Sequence, residues 1–218
     1  MTRRTIVALF GIAAIAVFVL AAALYTKPAP DLAQDVDVNG ESVLFRRYSP
    51  VLGPVDAKVT LTEFFDPMCE TCRDFFPVVE EIVADHQGKV RVVLRYATFH
   101  PGSENAVRLL EAARRQNKFE AVLVALLERQ SEWASHEGIN TALMWELAGG
   151  AGLDIAKAKQ DAALPEIDLL IQQDMADAKA AGVTKTPTFF VNGKPLQSFG
   201  KQELYDMVVE EAAPPGAN

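Results

Sequence analysis

Hydrophobic and polar positions between residues 59 and 96 follow first the period of a strand and then that of a helix. The run 59–65 is rich in β-branched and aromatic residues and predicts a strand that ends at Asp66-Pro67. The apolar residues 75, 78, 79, 82 and 83 have the spacing of an amphipathic helix that runs to about His86. Residues 90–96 predict a second strand. Since a strand, a helix and a strand form a βαβ unit, the two strands should pair in parallel.

The stretch of about residues 103–165 has only helical periodicity. A further helix is predicted to end near Gly182. Strand signals then return at residues 188–191, and the hairpin dipeptide Asn192-Gly193 leads to a short edge strand around Leu196, before a final helix. The pattern therefore predicts an α/β fold that contains an α-helical insertion.

The start of the chain has a different pattern. Arg3 and Arg4 precede an uncharged apolar run over residues 6–25, and a basic start followed by such a run is typical of an export signal. About 20 apolar residues are enough to span a bilayer, and Ala21-Ala22-Ala23 also offers a small-residue cleavage site. Residues 1–26 are therefore predicted to be a cleaved signal peptide or an inner-membrane anchor. Both alternatives place the rest of the chain in the periplasm or another extracytoplasmic compartment.

The composition changes again after this segment. Residues 27–42, rich in Pro and acidic residues, predict a linker or exposed arm, followed by a domain over residues 43–211 and a tail over residues 212–218. The chain has 21 Lys and Arg against 29 Asp and Glu, and its first acidic residue is Asp31. The domain is thus acidic and repels nucleic acid and anionic lipid headgroups, so charge gives no support to binding of either.

The chain has two cysteines, Cys69 and Cys72, separated by two residues. A disulfide that closes so short a loop restricts the unfolded chain very little, so a redox role fits the pair better than a structural one. The pair lies where the predicted helix begins. The free N–H groups of the first turn and the helix dipole therefore favour the thiolate of Cys69.

Cys69 is the candidate nucleophile. Cys72 lies one turn along the same helix face and is the candidate resolving thiol, which attacks a mixed disulfide formed at Cys69. The Thr71 hydroxyl is positioned to donate a hydrogen bond to sulfur, whereas Glu70 puts negative charge beside the thiolate. We therefore expect a less oxidising pair than one with His at the second intervening position.

Other uses of a CxxC pair stay open. Half a zinc site is one, but a structural zinc site needs four ligands, and the histidines His86, His100 and His136 are not at paired ligand spacing. Copper capture by Met68 and the two thiolates is another, since thioether and thiolate are soft ligands. A copper-binding or chaperone module is the non-enzymatic alternative. His100, which precedes Pro101, is interpreted as loop surface.

The sequence resembles the thioredoxin superfamily and, within it, the DsbA-like thiol-disulfide oxidoreductases. The resemblance covers about residues 43–211 and is carried by the segments 63–72 and 183–193 and by Pro77. It implies a thioredoxin-like fold in which Pro77 kinks the first helix. It also implies that the helices of about residues 103–165 are the insertion that DsbA-like proteins have.

The resemblance implies roles for residues outside the cysteine pair. Glu63 stands where thioredoxin-like proteins have a buried acid and would accept the proton that Cys72 loses. Arg95 would lie near Glu63, as a basic residue does in DsbA-like proteins. Thr186 and Pro187 are similar to the cis-proline loop, which packs against the CxxC pair and leaves the Thr186 backbone free to pair with an extended client peptide.

The expected function is that of an enzyme, a protein thiol-disulfide oxidoreductase without a cofactor. Its partners would be client proteins that carry thiols or disulfides. DsbA-like disulfide formation is expected first, and for an oxidase the resemblance implies a DsbB-like membrane partner that restores the pair. The dipeptide Glu70-Thr71 departs from the best-known member of the family, so the reductase and isomerase directions stay open.

Overall fold

The computed structural model describes residues 40–135 and 138–213. The predictions for residues 1–26, for residues 27–39 of the linker and for residues 214–218 of the tail lie outside the described residues. Among the helices of the described residues, none has an apolar stretch that would reach across a lipid bilayer.

The described residues form seven strands and eight helices. The strands are β1 (Val51–Leu52), β2 (Val59–Phe65), β3 (Val90–Tyr96), β4 (Ala134–Ser135), β5 (Gly138–Ile139), β6 (Thr188–Val191) and β7 (Lys194–Pro195). The helices are α1 (Glu70–Asp85), α2 (Ser103–Arg114), α3 (Phe119–Glu128), α4 (Gln130–Trp133), α5 (Thr141–Gly150), α6 (Ile155–Asp161), α7 (Pro165–Ala180) and α8 (Lys201–Ala212).

The main sheet has five strands in the order β1-β3-β2-β6-β7. β2 and β3 pair in parallel, as the predicted βαβ unit requires, and the other neighbours are antiparallel. Asn192 and Gly193 have φ values of 49° and 82° between β6 and β7, which is the conformation of a two-residue hairpin turn. The parallel pair, the hairpin and the edge strand are therefore confirmed.

Helices α2 to α6 lie between β3 and α7, so the α/β fold with an α-helical insertion is confirmed. The domain boundaries remain predictions. The strands β1, β4 and β5 were not predicted, because strands of two residues are too short to show an alternating pattern.

Successive side chains of a strand point to opposite faces of the sheet. On one face, Leu61 and Phe65 of β2 join the large core formed with α1, α8 and the insertion. On the other face, Phe64 packs edge to face on Phe190, with ring centroids 6.0 Å apart, and both contact the smaller cluster around Ala178 of α7. The face of a residue therefore decides whether it reaches the cysteine pair.

The expectation that Arg95 lies near Glu63 is wrong. Arg95 is opposite Phe64 in the parallel register, and Glu63 is opposite Leu94, so the two side chains leave the sheet on different faces. Arg95 is fully buried against α7, where its Nη2 atom lies 2.7 Å from Asp174 and 2.6 Å from Asp177. Its role is in a buried ion pair and not at the cysteine pair.

Candidate active site

Helix α1 begins at the CxxC sequence because the preceding strand ends in a turn. The backbone N–H of Cys69 donates to the Asp66 carbonyl at 3.0 Å, and Cys69 is the N-cap of the helix. Cys69 and Cys72 are 5% and 0% exposed, are not joined by a disulfide and lie 3.6 Å apart. The pair therefore lies at the buried start of a helix, where backbone N–H groups have no partner within the helix.

The surroundings of Cys69 favour its thiolate. The pKa of Cys69 is lowered to about 5, mainly by a hydrogen bond from the Cys72 thiol, although burial acts to raise it. Hydrogen bonds from the Thr186 side chain and from the backbone N–H groups of Cys72 and Thr71 lower it further. Thr71 thus contributes through its backbone, whereas the sequence suggested its hydroxyl. At neutral pH the Cys69 sulfur carries a negative charge.

The surroundings of Cys72 have the opposite effect. Burial raises the pKa of Cys72 well above that of an ordinary thiol, and the hydrogen bond to Cys69 and, when it is ionised, the Glu63 carboxylate add to this rise. The two sulfurs therefore differ in protonation at neutral pH, with a thiolate at the helix start and a thiol one turn inward.

Glu63 lies on β2, on the face that carries α1 and the cysteines. It is 3% exposed, and burial, followed by the negative charge of Cys69, raises its pKa to about 8. A carboxyl group with this pKa gains and loses a proton close to neutral pH. Glu63 can therefore exchange a proton with a neighbouring sulfur.

The Thr186-Pro187 segment lies against the nucleophile. The peptide bond between the two residues is cis, as predicted, and Pro187 is buried. The Thr186 carbonyl oxygen lies 3.3 Å from Cys69 Sγ. The structure thus brings Glu63, Cys69, Cys72 and the Thr186-Pro187 segment together.

Asp66 is a residue whose role sequence reasoning missed. Its side chain is fully buried and both carboxylate oxygens accept hydrogen bonds. One oxygen accepts from the backbone of Met68 at 2.9 Å and from Ser103 Oγ, and the other accepts from the backbones of Phe99 and His100 at 2.9 and 3.0 Å. Asp66 therefore joins the turn before α1 to the loop after β3 and to the start of α2.

Gln130 is a second residue whose role sequence reasoning missed. It lies in the short helix α4 of the insertion and is 1% exposed. Its Nε2 atom donates to the carbonyl oxygens of Pro67 at 2.8 Å and Cys69 at 3.0 Å. The insertion thus holds the backbone of the cysteine segment directly.

A cavity of about 180 Å³ opens beside the nucleophile. It is lined by Met68, Cys69, Glu70, Thr71, His100, Ala134 and Ser135. The interpretation of His100 as plain loop surface is incomplete, because the residue lines this cavity and its Nδ1 atom lies 2.8 Å from Asp66 Oδ2.

Across the described ranges, no group of three or more His, Cys, Asp or Glu side chains is arranged to hold a metal ion.

A family model described as Thioredoxin matches residues 46–211. The thioredoxin-like oxidoreductase of Silicibacter pomeroyi DSS-3 is a similar solved structure, with 34% identity, a TM-score of 0.67, and coverage of 78% of this chain and 95% of that one. BdbD of Bacillus subtilis, in its oxidised form, is 25% identical with a TM-score of 0.67, covering 75% of this chain and 92% of that one. These likenesses confirm the thioredoxin-like fold.

A curated relative is similar to this chain over a small part of its own length. The Na(+)/H(+) antiporter NhaA of Herminiimonas arsenicoxydans is 31% identical over 147 residues, which are 67% of this chain and 23% of the antiporter. The chain therefore spans less than a quarter of that relative.

Proposed function

The chain belongs to the thioredoxin family, and from this membership we propose that it is an extracytoplasmic thiol-disulfide oxidoreductase that exchanges disulfides with client proteins. The observation that carries the proposal is the difference between its two thiols. Cys69 is a thiolate with a pKa of about 5 at the start of a helix, and Cys72 is a buried thiol 3.6 Å away with a raised pKa. Exchange needs one sulfur that attacks readily and a second that waits until a mixed disulfide has formed.

In the direction that reduces a client, the Cys69 thiolate attacks one sulfur of the client disulfide. The client S–S bond breaks, one client sulfur leaves as a thiolate, and the other is bonded to Cys69. Once Cys69 is bonded to the client, its negative charge no longer raises the pKa of Glu63. Cys72 then gives its proton to the ionised Glu63 carboxylate and attacks Cys69, which releases the second client sulfur and leaves the Cys69–Cys72 disulfide. The client gains two electrons, and the pair loses two. Disulfide formation in a client is the same sequence in reverse.

Thr186 and Pro187 are proposed to dock the client. The contact between the Thr186 carbonyl and Cys69 Sγ places this backbone beside the reacting sulfur. An extended client peptide that pairs with the backbone of Thr186 would then present its own sulfur to Cys69.

Disulfide formation is the proposed direction. A low pKa of the nucleophile stabilises the dithiol form of the pair relative to its disulfide, which makes the disulfide a better oxidant. Each client disulfide that is formed leaves the pair reduced, so a membrane redox partner of the DsbB type is proposed to restore it. Export through residues 1–26 is proposed to place the domain in the periplasm.

The experiment compares wild type with Cys72→Ala and Cys69→Ala in insulin reduction and in refolding of a reduced disulfide protein. We expect turnover by wild type, a trapped mixed disulfide at Cys69 in Cys72→Ala, and neither turnover nor trapping in Cys69→Ala. A chaperone would keep its holding activity in all three proteins, and a copper-binding module would bind stoichiometric Cu(I) only with both cysteines. If wild type shows no turnover and only holding activity or copper binding is found, the proposal is overturned.

A further inference from the structure

The imidazole of His100 is held in one orientation by a buried carboxylate. Its Nδ1 atom lies 2.8 Å from Asp66 Oδ2, and the same oxygen accepts the backbone N–H groups of Phe99 and His100. Since the carboxylate accepts these bonds, the ring nitrogen that faces it is the one that carries a proton. The second ring nitrogen, Nε2, is then the one that can accept a proton from a neighbouring group.

His100 also belongs to the wall of the cavity beside the nucleophile. His100 lines it together with Cys69, Glu70 and Thr71, and 35% of the His100 side chain is exposed. The cavity volume of about 180 Å³ is enough to admit the side chain of a client cysteine. A client sulfur that bonds to Cys69 from this cavity is flanked by the imidazole of His100.

We propose that His100 is a catalytic acid-base group for the client cysteine and that Asp66 is its positioning residue. The proposal rests on the proposed function and adds a second proton route to it. Glu63 lies on the sheet beneath the pair and serves Cys72. His100 lies beside the cavity and serves the sulfur that belongs to the client.

The proton and electron balance defines the step. When a client is oxidised, its thiol gives a proton to His100 Nε2 and its sulfur attacks Cys69 of the Cys69–Cys72 disulfide. That disulfide breaks, and Cys72 leaves with the electron pair and takes a proton from Glu63. A second client thiolate then attacks the client sulfur of the mixed disulfide, and Cys69 leaves as a thiolate. His100 and the second client thiol lose their protons to solvent, and Glu63 takes a proton back from solvent. In the reverse direction His100 protonates the departing client sulfur.

The expected effect depends on pH through the client thiol. The titratable groups that contact or face the ring in the described residues are Asp66, Cys69 and Glu70. An ordinary thiol has a pKa of about 8.5, so at pH 6.5 only about 1% of it is ionised without help. A base beside it therefore accelerates attack most at low pH and adds nothing once the thiol ionises by itself.

The test is single-turnover oxidation of a dithiol peptide by the fully oxidised protein. In His100→Asn we expect a rate about tenfold lower than in wild type at pH 6.5, with the difference lost above pH 9. Added imidazole should restore part of the rate of His100→Ala, because the substitution leaves space beside the cavity. His86→Asn is the matched control, since His86 lies at the far end of α1, with Nδ1 3.0 Å from the Ile82 carbonyl.

Asp66→Asn is expected to slow the same step in the same pH range, without rescue by imidazole. Equal rates of wild type and His100→Asn at pH 6.5 would overturn the inference while leaving the proposed function intact. A rate loss that is the same at pH 6.5 and pH 9 and that imidazole does not restore would show a structural role and would also overturn it. If wild type transfers no disulfide, the proposed function itself fails.

Discussion

The Thr186 carbonyl oxygen lies 3.3 Å from the Cys69 sulfur, although 117 residues separate them in the chain. The order of the strands explains this contact. β2 and β6 are antiparallel neighbours, with Phe64 opposite Thr188, so the end of β2 that leads into Cys69 adjoins the start of β6. The site is therefore formed by the sheet, and the insertion between the two strands changes the chain length without changing the contact.

Glu63→Gln tests the proton route to Cys72. Glutamine keeps the shape of the side chain but cannot exchange a proton, so we expect the release of a client from a preformed mixed disulfide to slow about tenfold near pH 7. The measurement is the single-turnover decay of a mixed disulfide between Cys69 and a peptide thiol.

The matched control is Glu210→Gln, an exposed glutamate of α8. We expect it to resolve the mixed disulfide at the wild-type rate. Decay in Glu63→Gln as fast as in this control would remove Glu63 from the mechanism.

Glu63 also makes stability depend on pH. Burial raises its pKa from 4.5 to about 8, so the folded protein holds a proton that the unfolded chain has lost in this range. The stabilising contribution of this group is present below pH 4.5 and is lost as the pH rises through about 8. We expect Glu63→Gln to raise the free energy of unfolding relative to wild type progressively between pH 5 and pH 9. The free energy of unfolding of both reduced proteins is measured by urea denaturation at each pH. A difference between the two proteins that does not change with pH would contradict the buried position of the Glu63 carboxyl.

Gln130→Met tests the contact between the insertion and the cysteine segment. Methionine fills a similar volume but donates no hydrogen bond, so the carbonyl oxygens of Pro67 and Cys69 lose the Gln130 amide. We expect a loss of about 2 kcal/mol in the free energy of unfolding, measured by urea denaturation. Gln202→Met on the exposed side of α8 is the control, with an expected change below about 0.5 kcal/mol. Equal values for the two variants would show that the contact with the insertion is not stabilising.

Arg95→Met tests the buried ion pair on the other face of the sheet. The substitution removes the charge that Arg95 places beside Asp174 and Asp177, and we expect a loss of about 3–5 kcal/mol in the free energy of unfolding. Asp177 keeps its pair with Arg46, so the charge left without a cation is that of Asp174. The pKa of Cys69 should not change, since Arg95 faces away from the cysteine pair. Arg129→Met, which removes an exposed ion pair with Glu132, should cost much less than Arg95→Met, because water screens this pair. A Cys69 pKa that moves in the folded Arg95→Met protein would show that the two faces are coupled.

The local patterns were enough to predict the elements that carry the cysteine pair. The strand β2, the helix α1 with Pro77 inside it and the hairpin at Asn192 and Gly193 each have a period or a turn residue that a single sequence displays. The position of Thr186 and Pro187 against Cys69 depended on resemblance to a family, because no local pattern connects segments so far apart.

The contacts that depend on the order of the strands could not be predicted in this way. Arg95 was placed near Glu63 because both lie on predicted neighbouring strands, but the face of each side chain depends on the register of the pair. Asp66 was visible only as a charged residue between apolar segments, and its partners Phe99 and Ser103 lie 33 and 37 residues later. Gln130 had no sequence signal, since a glutamine in a helix is ordinary.

The most direct test of the account is the ionisation of Cys69. The reduced protein is titrated by the ultraviolet absorbance of its thiolate and by its rate of alkylation with iodoacetamide, and Cys69→Ser provides the blank. We predict a midpoint near pH 5 for Cys69, with Cys72 unreacted at neutral pH. A midpoint near about 8.5, the value of a thiol in a free peptide, with both cysteines alkylated slowly and alike, would contradict the account.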